Sequence, residues 1–416
     1  MSFLPQNPDV IVVGAGTAGL SAAKSLQEAG LEVAVLEAAA HVGGRCITDT
    51  STFAMPFDRG GSWLHSGQIN PLAEIAEESS LHLHKKHWEW ERVFAQDRIL
   101  NEQETVEYSR YQEAMWENIN SIGLNGGADT SIEEVLPASP HKSTAKHWVP
   151  QMLGGDADVT STADVTRYAD AEGDWLVSGG LGAFIKTLHS SVTVELNCPV
   201  SRIDYSGSGV QATTPKGVVS ANYLISTVST GVLSAETLEF TPALPNKKLQ
   251  AISELPNGLL NKIGIDLDPN WNEVWEGYTA DYHKEGEEFC TLLFGFFNTS
   301  LAVGFTSGRF AVLLEKEGPG SATEFCLQGL RSLFGNDVTK YVRRTTETAW
   351  QSDPTTCGSY SYALPGCADA RTVLAEPVAD RLFFAGEATI PSAYATVHGA
   401  YLSGKDVAEK IIRQHT

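Results

Sequence analysis

The strongest constraint on this chain lies near its N-terminus. Asp9-Val10-Ile11-Val12-Val13 is a short, β-branched apolar run, the composition of a strand buried on both faces of a parallel sheet. It runs into Gly14-Ala15-Gly16-Thr17-Ala18-Gly19. Residues Ala18 to Ala29 are then patterned as a helix, closed by Gly30, and Glu32 to Leu36 reads as a second strand ending at Glu37. In such a unit Gly14 permits the tight turn, Gly16 lets backbone approach a pyrophosphate, and Gly19 lets helix and strand pack closely. The helix N-terminus offers unpaired N–H groups and the positive end of the dipole to phosphates. Glu37 stands 21 residues beyond Gly16, where an acid binds ribose hydroxyls, and its charge argues against NADP. A lone GxGxxG carries little weight. With strand, helix, second strand and acid in place, the segment predicts a doubly wound α/β domain that binds a dinucleotide.

Length and composition bound the rest. The 416 residues suffice for two or three domains, and 42% hydrophobic with 19% charged residues suits a soluble globular chain rather than a disordered one. No apolar run reaches the roughly 18 residues of a spanning helix, and Met1 to Asp9 lacks the basic and apolar regions of a signal peptide. Arg413 to Thr416 matches no retention or anchoring signal. A soluble, cytoplasmic protein with no membrane partner is the expectation. Cys46, Cys198, Cys290, Cys326, Cys357 and Cys367 form no CxxC pair, so neither a disulfide framework nor a metal site is expected. The formal charge is −22, from 29 Lys and Arg against 51 Asp and Glu. Such a surface repels nucleic acid and attracts cationic ligands, though acidity also serves solubility alone.

Further motifs follow in order. His41-Val42-Gly43-Gly44-Arg45 leaves backbone bare beside an arginine that can pair with a pyrophosphate. Arg381 to Glu387 is an apolar strand ending in a small turn and an acid, and a final helix begins near His398 and runs to Ile412. Between them lie Asp58-Arg59-Gly60-Gly61-Ser62-Trp63-Leu64-His65, Gly179 to Phe184, Ile225 to Leu233, Trp350 and Gly358-Ser359-Tyr360-Ser361. Residues 103–119 have helical spacing and 192–225 alternate like strands. Asn125-Gly126-Gly127 and Ser206 to Gly209 read as loops.

In these motifs the chain resembles the flavin amine oxidase family, which includes monoamine oxidases, polyamine oxidases and flavin-type histone lysine demethylases, and its motifs are closest to the polyamine oxidases. The resemblance covers nearly the whole chain. It implies a Rossmann-type FAD-binding domain assembled from residues 1–75, 176–244 and 372–416. It implies an α+β substrate domain with a mixed sheet, from residues 76–175 and 245–371. By the same resemblance the FAD contacts are Gly14, Gly16, Gly19 and Glu37, then Gly44, Arg45, Gly61, Ser62 and Trp63. Val200, Trp350, Gly386, Glu387, Thr396 and Val397 complete the set. Monoamine oxidases carry a flavin-bonded cysteine just before the tyrosine equivalent to Tyr360. Ser359 stands there in this chain, which implies noncovalent FAD.

Four side chains are implied to act on the substrate. Lys262 lies in Leu259 to Leu267, where Ile263, Ile265 and Leu267 alternate with other positions as in a strand. Read alone, it is a lysine on the solvent face. Family members place a lysine in this strand that holds a water against flavin N5, which implies a buried ammonium assisting oxygen reduction and imine hydrolysis. Tyr360 is implied as one wall of an aromatic slot, and a core tyrosine is the plainer reading. Where monoamine and plant polyamine oxidases have the second slot tyrosine, this chain has Thr396, leaving Tyr394 or Tyr362 to fill that wall in part. His65 falls where animal and yeast polyamine oxidases carry an active-site histidine that can take a proton from the substrate amine. Arg59 is unusual at its position and reads as a structural ion pair or a carboxylate contact.

The stretch with His82, His84, His87, Trp88, Trp90, Glu89 and Glu91 suits a polyamine tunnel or, equally, an amphipathic helix with a solvated face. The implied reaction is hydride transfer from the amine α-carbon to flavin N5, imine hydrolysis, and reoxidation by molecular oxygen to give hydrogen peroxide. Spermine, spermidine or acetylated forms are the favoured small-molecule substrates. A monoamine or L-amino-acid oxidase, an isomerase or desaturase, and a flavin-bearing scaffold are the alternatives.

Overall fold

The structure is a computed structural model that describes residues 7–85, 93–95, 98–124, 127–271, 279–283, 288–295, 297 and 299–415. Its first layer is a five-stranded, all-parallel sheet in the order Val194–Glu195, Val33–Leu36, Val10–Val13, Tyr223–Ser226, Leu382–Phe384. The strands come from three stretches far apart in sequence. Val10–Val13 is fully buried, as its unbroken β-branched run requires when both faces are covered. Val10 and Val12 pack with Leu20, Leu26, Val407 and Ile411 of two helices, Thr17–Glu28 and Val397–His415. Ile11 and Val13 face Ile203, Leu224 and Phe384 on the other side. Each fully buried aliphatic side chain contributes about 1.5–3 kcal/mol. The strand order reverses at Val10–Val13, so the glycine loop opens at the switch point where open α/β sheets bind ligands.

The second layer is a seven-stranded mixed sheet in the order Val342–Glu347, Leu260–Leu267, Leu301–Ser307, Phe289–Phe294, Thr279–His283, Val93–Ala95, Arg98–Ile99. One face, with Ile263, Ile265, Leu292 and Phe294, is covered by Phe325 and Leu330 of the helix Ser321–Phe334. The other face, with Leu293, Leu301, Val303 and Phe305, packs on Phe53, Phe57 and Leu176. The strand Leu260–Leu267 is therefore buried almost throughout rather than half solvated, and Lys262 is only 5% exposed.

The helical and strand readings of 103–119 and 192–225 match the helix Glu102–Leu124 and a run of short strands from Val194 to Ser226. Ser206 to Gly209 turns the hairpin between Arg202–Asp204 and Val210–Thr214. Asn125 and Gly126 lie outside the described residues, as do His87, Trp88, Glu89, Trp90 and Glu91. The amphipathic-helix reading of this region is corrected at its described flanks, which are strands. Leu83–His84 pairs with Trp175–Val177, and Val93–Ala95 joins the large sheet. Buried Leu83 between more exposed His82 and His84 is a two-residue period. All six cysteines are free, and among the described residues no helix is long and apolar enough to cross a membrane.

Candidate active site

The dinucleotide cradle is built by close approach of backbone. A Cβ on Gly19 would lie 2.0 Å from the Gly14 carbonyl oxygen, so the helix packs on the strand at a distance no side chain allows. A Cβ on Gly16 would meet only the Gly44 Cα, at 4.0 Å, which leaves an open shelf between the two glycine loops. Gly16 caps the helix Thr17–Glu28 without a side-chain bond, so the first N–H groups remain available to a phosphate. Glu37 accepts from Ala15 N at 2.6 Å and Ala39 N at 2.8 Å, which braces the loop and fixes the carboxylate at its edge. Val200 is half buried against the neighbouring core, two residues past Cys198, whose N–H bonds the Glu37 carbonyl. Arg45 Nη1 donates to Ser359 O at 2.7 Å and to Glu387 Oε1 at 3.1 Å, while its Nε and Nη2 take no partner among the described residues. The Ser226 hydroxyl at the end of its strand is buried without a partner among the described residues. Bare backbone, an open helix N-terminus, an arginine with donors to spare and an orphaned hydroxyl fit a dinucleotide cofactor.

Glycine substitutions separate packing from cofactor binding. Gly16→Ala should leave the melting temperature of the apoprotein within a few degrees and weaken FAD binding about tenfold or more, since the new methyl occupies the shelf. Gly19→Ala should lower the melting temperature itself. Thermal melts of apoprotein beside flavin titrations check both.

Lys262 is held in a cage of oxygens. Its Nζ donates to Gly60 O and Ser62 Oγ, each at 2.5 Å, and to Asp58 O at 3.3 Å. The ammonium also lies 5.0 Å from the Trp63 ring centroid. Burial lowers its pKa to about 8, with the Asp58 charge opposing. All three donors point at protein oxygens, so a water at this nitrogen would have to compete with the long bond to Asp58. Asp58 is fixed in turn: its carboxylate accepts from Thr48 Oγ1, Leu181 N and Gly182 N at the start of the helix Leu181–Leu188. Two motifs apart in sequence, DRGGSW and GGLGAF, thus meet to shape the lysine cage. Trp350 closes its rear, with Cζ2 3.2 Å from where a Gly60 Cβ would stand.

Glu387 anchors the other side. Buried to 5% exposure, it pairs with Arg45 and accepts from Ser361 N, Ser361 Oγ and Ala395 N. Gly386 N bonds Ser403 Oγ, which ties this turn to the last helix. Ser359 Oγ is turned to backbone, accepting from Leu260 N and donating to Gly258 O. Tyr360 donates to Gln151 O at 2.6 Å and packs on Gly154, and burial pushes its phenol pKa up. Thr396 donates to Ala393 O and accepts from Gly399 N, so its hydroxyl is spent capping the last helix. That cap holds Val397 against Gly61, 2.6 Å from where a Cβ would be. His65 is 40% exposed, bonds Asp174 at 2.7 Å and stacks near Trp63. Burial, then the charge of His65, lowers the pKa of His398 to about 4.

Two expectations change. Tyr394 does not form the second slot wall, because the Arg371 guanidinium covers its ring at 3.9 Å and its exposure is 3%. Tyr362 packs instead against Gly155. Arg59 makes no ion pair among the described residues; its Nη2 donates to the Glu347 carbonyl at 3.3 Å. The Arg371–Asp164 pair beneath the site has no counterpart in the sequence motifs, since neither residue lies in one.

Comparison with known proteins agrees with this geometry. Residues 154–412 match the family described as flavin containing amine oxidoreductase, and residues 12–78 match an NAD(P)-binding Rossmann-like domain. The chain is 31% identical, over 98% of its length, to lysine-specific histone demethylase 1 homolog 1 of Oryza sativa subsp. japonica, and covers 52% of that protein. It thus spans about half the length of this relative. It is 31% identical to polyamine oxidase 4 of the same plant, over 97% of its own length and 88% of the relative's. The solved structure of putrescine oxidase bound to putrescine superimposes with a TM-score of 0.80 over 98% of this chain and 99% of that one. At 22% identity that likeness speaks for the fold. The cofactor that fits the cradle is FAD, held without a covalent bond, and the chain belongs to the flavin containing amine oxidoreductase family.

Proposed function

We propose that this protein is an FAD-dependent oxidase of di- or polyamines, with spermine, spermidine or their acetylated forms as substrates. The reading rests on Lys262, an ammonium caged by Asp58, Gly60 and Ser62 against the flank of the cofactor cradle. FAD, when bound, supplies the acceptor for the hydride leaving the carbon next to nitrogen. The chain's own residues do the rest. Trp63 and Phe305 line the lysine with apolar rings and exclude water. Tyr360, held by Gln151, offers a ring to orient the amine. His65, oriented by Asp174, can take the proton that a substrate ammonium must lose before oxidation. Lys262 presents positive charge where molecular oxygen is reduced to hydrogen peroxide and where water attacks the imine. The net charge of −22 favours approach of a polycation. In this reading residues 1–75, 176–244 and 372–416 hold FAD, and 76–175 with 245–371 hold the amine.

A second reading, oxidation of N-methylated lysine in a peptide, is favoured by the 31% identity to a plant histone demethylase. Product analysis separates the two. Under the polyamine reading spermidine yields an aminoaldehyde and peroxide, and a methylated lysine peptide yields no formaldehyde. Formaldehyde from the peptide alone would reverse the assignment.

A further inference from the structure

The strand that carries Lys262 loses one of its two neighbours just before the lysine. Leu260–Leu267 pairs with Val342–Glu347 only as far as Ile263 opposite Glu347. Past that point side chains take over the bonding. Thr348 N donates to Lys262 O at 3.0 Å, and Lys262 N donates to Thr348 Oγ1 at 2.8 Å. The Thr348 hydroxyl donates in turn to Asn261 Oδ1 at 3.1 Å, which also accepts from Trp350 N at 3.2 Å. Asn261, Thr348 and Trp350 are all buried. One hydroxyl and one carboxamide therefore fix the backbone of Lys262 to that of Trp350, whose ring closes the rear of the lysine cage.

A single carboxylate anchors this network. Glu315, in the helix Gly308–Glu317, accepts through Oε1 from Asn261 Nδ2 at 2.7 Å and from Gln351 N at 3.1 Å. Its Oε2 accepts from Ser352 N at 2.9 Å and Ser352 Oγ at 2.6 Å. Glu315 thus grips the residue before Lys262 and the two residues after Trp350. All four donors are neutral, so the side chain serves as a set of acceptors rather than as a counter-ion. A carboxamide has one acceptor oxygen and would turn N–H against N–H at the other end. A carboxylate that held only the turn would need Gln351 and Ser352; the bond to Asn261 ties the turn to the lysine strand. The groups that face the amine are held elsewhere, Tyr360 by the Gln151 carbonyl and His65 by Asp174.

We propose that Glu315 is a positioning residue for Lys262. Through Asn261 and Thr348 it sets where the ammonium stands against Gly60 O and Ser62 Oγ, and thereby the rate of the oxygen step. In that step molecular oxygen gains two electrons from reduced FAD and two protons, leaving hydrogen peroxide and oxidised FAD. The role rests on the reading of Lys262 as the positive charge at this step, and deepens it.

One test needs no turnover. Purified holoenzyme and its Glu315→Gln variant are treated with an amine-acylating reagent, and acylation of each lysine is followed by mass spectrometry. Loss of the brace should speed acylation of Lys262 roughly tenfold, because the cage opens more often. Lys248 is the control: it is equally buried, and its Nζ is held by the carbonyls of Val373, Leu374 and Glu376. Lys248 should not change. An equal rise at both lysines marks a general loss of stability and overturns the proposal, as does no rise at Lys262. The second test follows reoxidation by oxygen of chemically reduced holoenzyme in the wild type, Glu315→Gln, Lys262→Met and the double variant. It uses no amine, so failure of the polyamine reading leaves it intact. Glu315→Gln should slow reoxidation about tenfold when Lys262 is present and under about twofold once it is methionine. The same loss in both backgrounds assigns Glu315 a structural role and overturns the proposal. Wild-type speed in Lys262→Met removes the part of the lysine and, with it, that of Glu315. If Glu315→Gln fails to fold, Thr348→Val deletes the hydroxyl between Lys262 and Asn261, keeps the shape and decides by the same two readouts.

Discussion

Arg371→Met should cost the protein about 3–5 kcal/mol, a large share of the 5–15 kcal/mol that holds a typical domain together. Arg371 is fully buried. Its Nε and Nη2 grip the two oxygens of Asp164, each at 2.7 Å, and Nη1 donates to Ser361 Oγ at 2.8 Å. The neighbouring carboxylate keeps the guanidinium charged against the cost of burial. Removing it leaves Asp164 as an uncompensated charge, and the damage spreads, because Ser361 is also a donor to Glu387, which holds Arg45 at the cradle. Arg371→Lys should rescue little, since an ammonium cannot serve both oxygens in one plane. A double change to Arg371→Met with Asp164→Leu should recover part of the loss, because replacing both charges with apolar groups avoids the orphan. Urea unfolding followed by circular dichroism and flavin fluorescence measures all three. A single Met variant within about 1 kcal/mol of wild type would mean the pair is solvated in solution.

Lys262→Met should lower turnover in air by about a hundredfold, the scale of losing one preorganised charge in a dry site. The side chain is of similar length, so the cage keeps its volume while Gly60 O and Ser62 Oγ lose their donor. The pH dependence carries the sign. Burial depresses the pKa of Lys262 to about 8, so the ammonium is fully present below that pH and disappears as pH rises through it. The ratio of wild-type to variant turnover should therefore be largest below pH 8 and shrink above it. A ratio that grows with pH would mean the neutral amine acts, as a base. The same shift costs stability in the wild type below about pH 8. Between 8 and the ordinary value of 10.5 the unfolded chain binds the extra proton, so this cost is relieved as pH rises.

Local physics made the cofactor half readable. Val10–Val13 is apolar because both its faces are covered, and Gly14, Gly16 and Gly19 mark places where backbone meets backbone or ligand. Those demands act within a few residues and leave a pattern. The alternation of Ile263, Ile265 and Leu267 puts Lys262 on a strand, yet its burial depends on Asp58, Gly60, Ser62 and Trp63 far earlier in the chain. The Arg371–Asp164 pair spans 207 residues, and nothing local distinguishes either member from a surface charge. Tyr394 and Tyr362 are equally good candidates for a slot wall by position, and only packing shows that Arg371 claims the first.

The most direct measurement is anaerobic mixing of the purified holoenzyme with spermine, spermidine, matched monoamines and a methylated lysine peptide, following flavin absorbance. The polyamines should bleach the flavin within seconds, and readmitting air should restore the colour with release of peroxide. Flavin that stays oxidised with every amine would contradict an amine oxidase.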